Sequence, residues 1–200
     1  MAFISLMSAL SLWVLTNIFV DTVTSVELKL LGYNFANTVV VWFSLYSLLW
    51  FALAYSNNTR WVNRWTVGFA VGTAITTCAA GILAPEYLYQ VDGLATRGPV
   101  TVLGVTFEEW TVLDRTLKWP FRLLQLVSYT VMLASAGILI RYLLRNRTEL
   151  YTGQAVALGI GTGSPLVANS LLFFGLQPVE FNVTDISFAV TGVAFAIAIF

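Results

Sequence analysis

Six stretches of this chain, each 15 or more residues long, carry no Asp, Glu, Lys or Arg, and that pattern restricts the possible folds more than any other feature. They cover residues 2–20, 30–59, 65–85, 123–140, 150–179 and 186–200. A helix needs roughly 17–25 mostly apolar residues to cross a bilayer. Backbone groups in hydrocarbon must be satisfied internally, which leaves helices and closed barrels. The runs are too long for barrel strands. They predict helices at 3–24, 35–55, 65–84, 121–142, 151–176 and 186–200. The rest of the composition agrees. Of the 200 residues, 58% are hydrophobic and 10% charged, with a mean hydropathy of +0.80. A soluble domain typically has about 25% charged residues. The expected fold is therefore an all-α integral membrane protein, a bundle of about six transmembrane helices.

Residues 2–20 contain no Lys or Arg and no small-residue cleavage site after a short apolar core. They read as a retained helix, not as a secretory signal. At the other end, the chain stops at Phe200 inside an apolar run, which leads us to expect a piece of a longer protein.

The connections are short, with one exception. Residues 85–119 hold five acids (Glu86, Asp92, Glu108, Glu109, Asp114) and two turn signals, Asp92-Gly93 and Gly98-Pro99. The β-prone runs Tyr87–Val91 and Val100–Val105 predict a small hairpin between the third and fourth helices. Two short loops, 56–64 and 143–150, and the helix end at Arg141 collect Arg60, Arg64, Arg141, Arg145 and Arg147. Dense positive charge beside helix ends marks the cytoplasmic side. On that reading both termini are cytoplasmic and the hairpin loop is extracellular. Trp42, Trp50, Trp61, Trp65, Trp110 and Trp119 lie near helix ends and read as an interfacial belt.

Several chemistries lack their residues. There is no histidine, hence no usual general base and no common metal ligand. The two lysines, Lys29 and Lys118, are expected in or beside loops, unsuited to a buried Schiff base. Cys78 stands alone in an apolar run, giving no internal disulfide and a buried, inert thiol. Zero formal net charge gives no reason to expect nucleic acid. No ionisable group is expected deep in a helix, where a transporter or channel would keep one. Catalytic residues, cofactors and metals are all expected to be absent.

What remains suits a sensor built from uncharged polar groups and a mobile element. The helix at 151–176 contains Gly159 and Gly163, a small-xxx-small pair for close helix approach. Pro165 lacks an N–H, so the Gly161 carbonyl loses its partner and a kink is expected. Asn169, one turn on, can bond across to another helix. Gln125 and Tyr129, spaced i and i+4, can offer polar groups to the same place. Two readings stay open: a packed helix tied by an amide, or a hinge beside a ligand cavity.

The run Leu150–Phe200 resembles a known family. It carries Leu-Tyr-Thr-Gly-Gln-Ala-Val-Ala-Leu-Gly, Ser-Pro-Leu-Val-Ala-Asn, Leu-Gln-Pro and Thr-Asp-Ile-Ser-Phe-Ala-Val-Thr-Gly. These resemble the end of the seven-transmembrane N-terminal sensor region of prokaryotic histidine kinases. Tyr151, Gln154, Pro165, Asn169, Thr184 and Phe188 fall on that family's pattern. Trp50–Tyr55 with Arg60-Trp61, and the step Ala84-Pro85-Glu86, extend the resemblance upstream. Asp185 stands where the family usually has proline, with Thr184 as the expected cap of the last helix. The segment matching the family's second helix starts at about residue 5, so its first helix is missing. The resemblance implies a sensor domain that passes an extracellular or membrane signal to a cytoplasmic kinase or PAS module. The candidate ligand or hinge residues are Gln125, Tyr129, Tyr151, Gln154, Pro165 and Asn169. The expected partners are the lipid bilayer, a small ligand or lipid, that output module and a second copy in a homodimer. The alternative is a small non-enzymatic transport or membrane-assembly protein.

Overall fold

In the computed structural model, residues 1–102, 105–107, 109–146, 152–173 and 183–199 are described. They form α1 (Ala2–Thr22), α2 (Val26–Phe35), a π-helical segment (Ala36–Val40), α3 (Val41–Tyr55), α4 (Arg64–Leu83), α5 (Trp119–Arg145), α6 (Thr152–Phe173) and α7 (Val183–Ile199). The stretch Val26–Tyr55 is a single 30-residue rod, so among the described residues these helices make six rods. Among the described residues, Ala2–Thr22, Val26–Tyr55, Arg64–Leu83 and Trp119–Arg145 are long and apolar enough to cross a membrane.

The second rod starts nine residues before the expected 35. Ser25 accepts from the Leu28 N–H at 3.5 Å and Glu27 sits in the first turn, where a negative charge meets the helix dipole. The π-segment is made tolerable by its own polar residues. Asn37 donates to the Tyr33 carbonyl at 2.9 Å, and the Thr38 hydroxyl to the Asn34 carbonyl at 2.7 Å. These side chains cover carbonyls that a π-bulge displaces from the α-helical ladder.

The longer rod also corrects the placement of Lys29, which lies inside a helix and not in a loop. It is fully buried, and its Nζ donates to the Val20 carbonyl at 2.6 Å and the Asp21 carbonyl at 3.4 Å. Nothing basic lies in the last turn of α1. Lys29 supplies that cap from the next helix, placing positive charge at a helix C-terminus.

α1, α3, α5, α6 and α7 close into a ring, with α4 outside against α3, α2 and the π-segment. Leu6, Phe51, Leu139, Leu158 and Phe195 fill the ring centre. They come from the start of α1, the end of α3, the end of α5, the start of α6 and the end of α7. The first and last helices thus have their outer ends beside the arginine-bearing loops. Serines tie α3 to α1: Ser47 and Ser5 share a hydrogen bond at 2.8 Å, and Ser44 donates to the Ala9 carbonyl at 3.3 Å.

The opposite end carries a β-ribbon longer than the expected hairpin. β1 (Tyr89–Arg97) pairs antiparallel with β4 (Trp110–Leu117), and β2 (Val100–Val102) with β3 (Val105–Phe107). Asp92-Gly93 is not a turn. The register shifts between Val91 and Gly93, and Gly93 adopts φ 141°, the left-handed side that glycine tolerates. The Asp92 carboxylate accepts from Thr116 Oγ1 at 2.9 Å and Gln90 Nε2 at 3.2 Å. It is a β-bulge held by a side chain.

Further expectations are corrected. Trp42 is 1% exposed and stacks on Tyr46 at 5.8 Å, so it belongs to the core. Trp50, Trp61, Trp65 and Trp119 are exposed, as a belt requires. Cys78 is half-buried. α7 already contains Thr184 and Asp185 in its first turn, so Thr184 does not precede the helix as a cap.

Candidate functional site

Pro165 lies inside α6 and is buried. The carbonyl it deprives, that of Gly161, accepts from the Thr191 hydroxyl of α7 at 2.9 Å. Thr191 also reaches the Ser187 carbonyl at 2.8 Å, and Ser164 Oγ lies 3.1 Å from Thr191 Oγ1 and 3.2 Å from the Ser187 carbonyl. A hydroxyl has one proton. One arrangement that uses each proton once has Thr191 donating to Gly161 and Ser164 to Ser187. A proline in a membrane helix is tolerated where neighbours re-satisfy the freed carbonyl in this way.

Gly161 serves a second purpose. A Cβ there would lie 2.5 Å from the Phe195 ring, and Phe195 is itself stacked on Phe51 at 4.9 Å. At Gly159 and Gly163 an added Cβ meets nothing within 4 Å. The glycine that permits close approach is the one between the expected pair. Thr191 and Ser164 were not singled out from sequence. The usable signal was a hydroxyl beside each glycine or proline, Ser164-Pro165 and Thr191-Gly192, on two consecutive apolar runs.

The residues named from sequence are spread along the bundle. Gln125 and Tyr129 share a side-chain hydrogen bond on α5, as their i, i+4 spacing allows. Gln154 is half-buried in the first turn of α6, 11 residues before Pro165 and so about 16 Å from it along the axis. Phe188 meets Trp13 of α1 edge-on at 5.3 Å. Tyr151 and the side chain of Asn169 lie outside the described residues.

A second cluster docks the β-ribbon on the bundle. The Arg115 guanidinium from β4 lies 3.5 Å from the centre of the Tyr33 ring of α2. Tyr33 meets Tyr89 of β1 edge-on at 5.4 Å, and Tyr89 meets Phe121 of α5 at 6.3 Å. Leu88 and Leu113 are buried with them. Burial pushes the Tyr89 phenol above the usual tyrosine range, and Tyr33 adds to the effect while Arg115 opposes it. Tyr89 is thus a neutral hydroxyl at physiological pH. Lys118 fastens the ribbon base, its Nζ donating to the Glu86 carbonyl at 2.6 Å and its N–H to the Leu88 carbonyl at 3.0 Å.

The bundle therefore has two places where separate elements are joined by few, specific contacts: the α6–α7 contact at Pro165 and the ribbon clasp. Both can pass a displacement from one element to another. Neither assembles a nucleophile with a base. Searches of the curated proteins and of the solved structures returned no match. The family model described as the N-terminal 7TM region of histidine kinase matches residues 1–200. This is the sensor input part of such proteins and is not itself catalytic. The chain belongs to the family of N-terminal seven-transmembrane regions of histidine kinases.

Proposed function

We propose that this chain receives an extracellular or membrane-borne signal and passes it through α7 to a cytoplasmic kinase or PAS module. The observation that carries the reading is the Thr191 hydroxyl on the Gly161 carbonyl at 2.9 Å. It joins the last helix to the soft point of its neighbour. A bond across membrane helices averages about 0.6 kcal/mol, enough to bias a balanced two-state element without holding the fold together. On this reading the β-ribbon is extracellular, and Arg115 on Tyr33 couples it to α2. Gln125, Tyr129, Tyr151, Gln154, Pro165 and Asn169 are the proposed ligand or hinge residues, and a homodimer is the proposed assembly.

The proposal requires α7 to leave the bilayer on the cytoplasmic side. The arginines at 60, 64, 141 and 145 support that orientation. With Cys78 replaced, a cysteine at Asn146 should be shielded from a membrane-impermeant thiol reagent in intact cells. A cysteine at Gly93, in the ribbon, should label readily. The reverse pattern would invert the topology and remove the route to a cytoplasmic module.

A further inference from the structure

α4 is fastened to the bundle at one end only. Its buried residues are Thr77 and Gly81, and both meet Thr38 in the π-segment. The Thr77 hydroxyl reaches the Thr38 carbonyl at 3.4 Å, and a Cβ on Gly81 would strike the Thr38 methyl. Arg64, where α4 begins, is 17 residues from Gly81 and so about 25 Å along the axis. Toward that end α4 stands away from α3 and α5, leaving a cavity of about 1310 Å³.

The walls of this cavity are mostly apolar. α3 contributes Phe43, Leu49 and Trp50, α4 contributes Val67 and Val71, and α5 contributes Ile138. Phe43, Trp50, Val67 and Val71 are also exposed on the outer surface, so the cavity opens sideways, where hydrocarbon surrounds the bundle. Its rim is basic. Arg60, Arg141 and Arg145 line it, with Asn58 beside them, and no described Asp or Glu does. Arg141 and Arg145 are i, i+4 on α5 and share a face.

Arg60 is held by an ordered turn. Asn57 ends α3 at φ 56°, the Asn57 N–H donates to the Ala54 carbonyl at 3.2 Å and the Asn58 N–H to the Leu53 carbonyl at 2.7 Å. That is a Schellman stop. Asn63 and Thr66 then form a capping box at the start of α4.

We propose that this cavity is a binding site for a phospholipid with an anionic headgroup. The phosphate sits on Arg60, Arg141 and Arg145, and an acyl chain fills the gap between α3 and α4. Guanidinium groups present paired donors to phosphate oxygens. Basic pockets between transmembrane helices are a recognised setting for anionic headgroups. The exposed Trp50, Trp61 and Trp65 mark the same end of the bundle as interfacial, the depth at which lipid phosphates lie. A free phosphate would leave the apolar walls unused. The site does not depend on which side of the membrane the arginines face.

The test uses the whole chain in detergent micelles, titrated with dioleoyl phosphatidylglycerol or dioleoyl phosphatidylcholine, with bound lipid counted by native mass spectrometry. Phosphatidylglycerol should be retained at concentrations about tenfold lower than phosphatidylcholine. The triple variant Arg60→Gln, Arg141→Gln, Arg145→Gln should lose that preference, whereas Arg122→Gln at the other end should keep it. Ala70→Trp, which fills the cavity from α4, should lower retention of both lipids while the circular dichroism spectrum stays that of the parent. Equal retention of the two lipids by the parent overturns the proposal. So does an unchanged preference in the triple variant, or inorganic phosphate displacing the lipid at equal concentration.

Discussion

Gly161→Leu should separate α6 from α7 and lower the unfolding midpoint of the purified chain more than any surface change. The first added carbon would already lie 2.5 Å from the Phe195 ring. That ring has nowhere to go, because it is fully buried and stacked on Phe51. Forcing extra carbons into such a site costs about 1–3 kcal/mol or more. Displacing the helices also withdraws Thr191 from the Gly161 carbonyl, and an unsatisfied group in hydrocarbon adds to the loss. Gly159→Leu, two residues earlier with open space beside it, should leave the midpoint near that of the parent. Phe195→Ala should recover part of the loss in the Gly161→Leu background. Equal midpoints for Gly161→Leu and Gly159→Leu would mean that α6 and α7 are not packed at this glycine.

Arg115→Met should release the β-ribbon. The guanidinium covers the Tyr33 ring face at 3.5 Å, within a cluster that buries Leu88 and Leu113. A desolvated cation–π contact contributes about 2 kcal/mol. Losing it should raise the undocked population roughly 30-fold. Protease cleavage within 89–117 tracks that population when redocking is fast, so the cleavage rate should rise by the same factor while α1–α7 stay intact. Arg115→Lys should be intermediate, because an ammonium keeps the charge but not the flat guanidinium face. An unchanged cleavage rate in Arg115→Met would show that Leu88, Leu113 and Phe121 hold the ribbon without the arginine.

The helices were legible because six uncharged runs of helical length leave little else to build in a bilayer. Legibility failed where polarity and helix coexist. Glu27, Lys29, Asn34 and Asn37 dilute the hydropathy of the first turns of Val26–Tyr55 and hide them. They are there to cap, to bulge and to close α1. Asp92-Gly93 has the composition of a turn, but only the pairing of Thr116 with Asp92 across the ladder makes it a bulge. The freed carbonyl of Gly161 was readable from Pro165 alone, whereas its partner Thr191 was not. Spacing along α6 says nothing about which residue of α7 faces the freed carbonyl. The same limit explains Gly161 against Gly159 and Gly163. A small-residue pair shows where close approach is possible, and only the neighbour's ring shows which glycine is used.

The claim that α7 reports the state of the bundle through Thr191 is tested most directly by kinase output. The chain is joined through α7 to a histidine-kinase module, and the basal autophosphorylation rate is measured in membranes for the parent and Thr191→Val. Valine keeps the shape and removes the hydroxyl that serves Gly161. A change of about 0.6 kcal/mol in a two-state balance is roughly threefold in population. The rate should therefore shift about threefold in either direction, with membrane accumulation unchanged. Pro165→Ala, which returns an N–H to Gly161 and frees Thr191, should also shift it. Parental rates in both variants, or loss of Thr191→Val from the membrane, would contradict the account and leave the Thr191 bond as a structural tie.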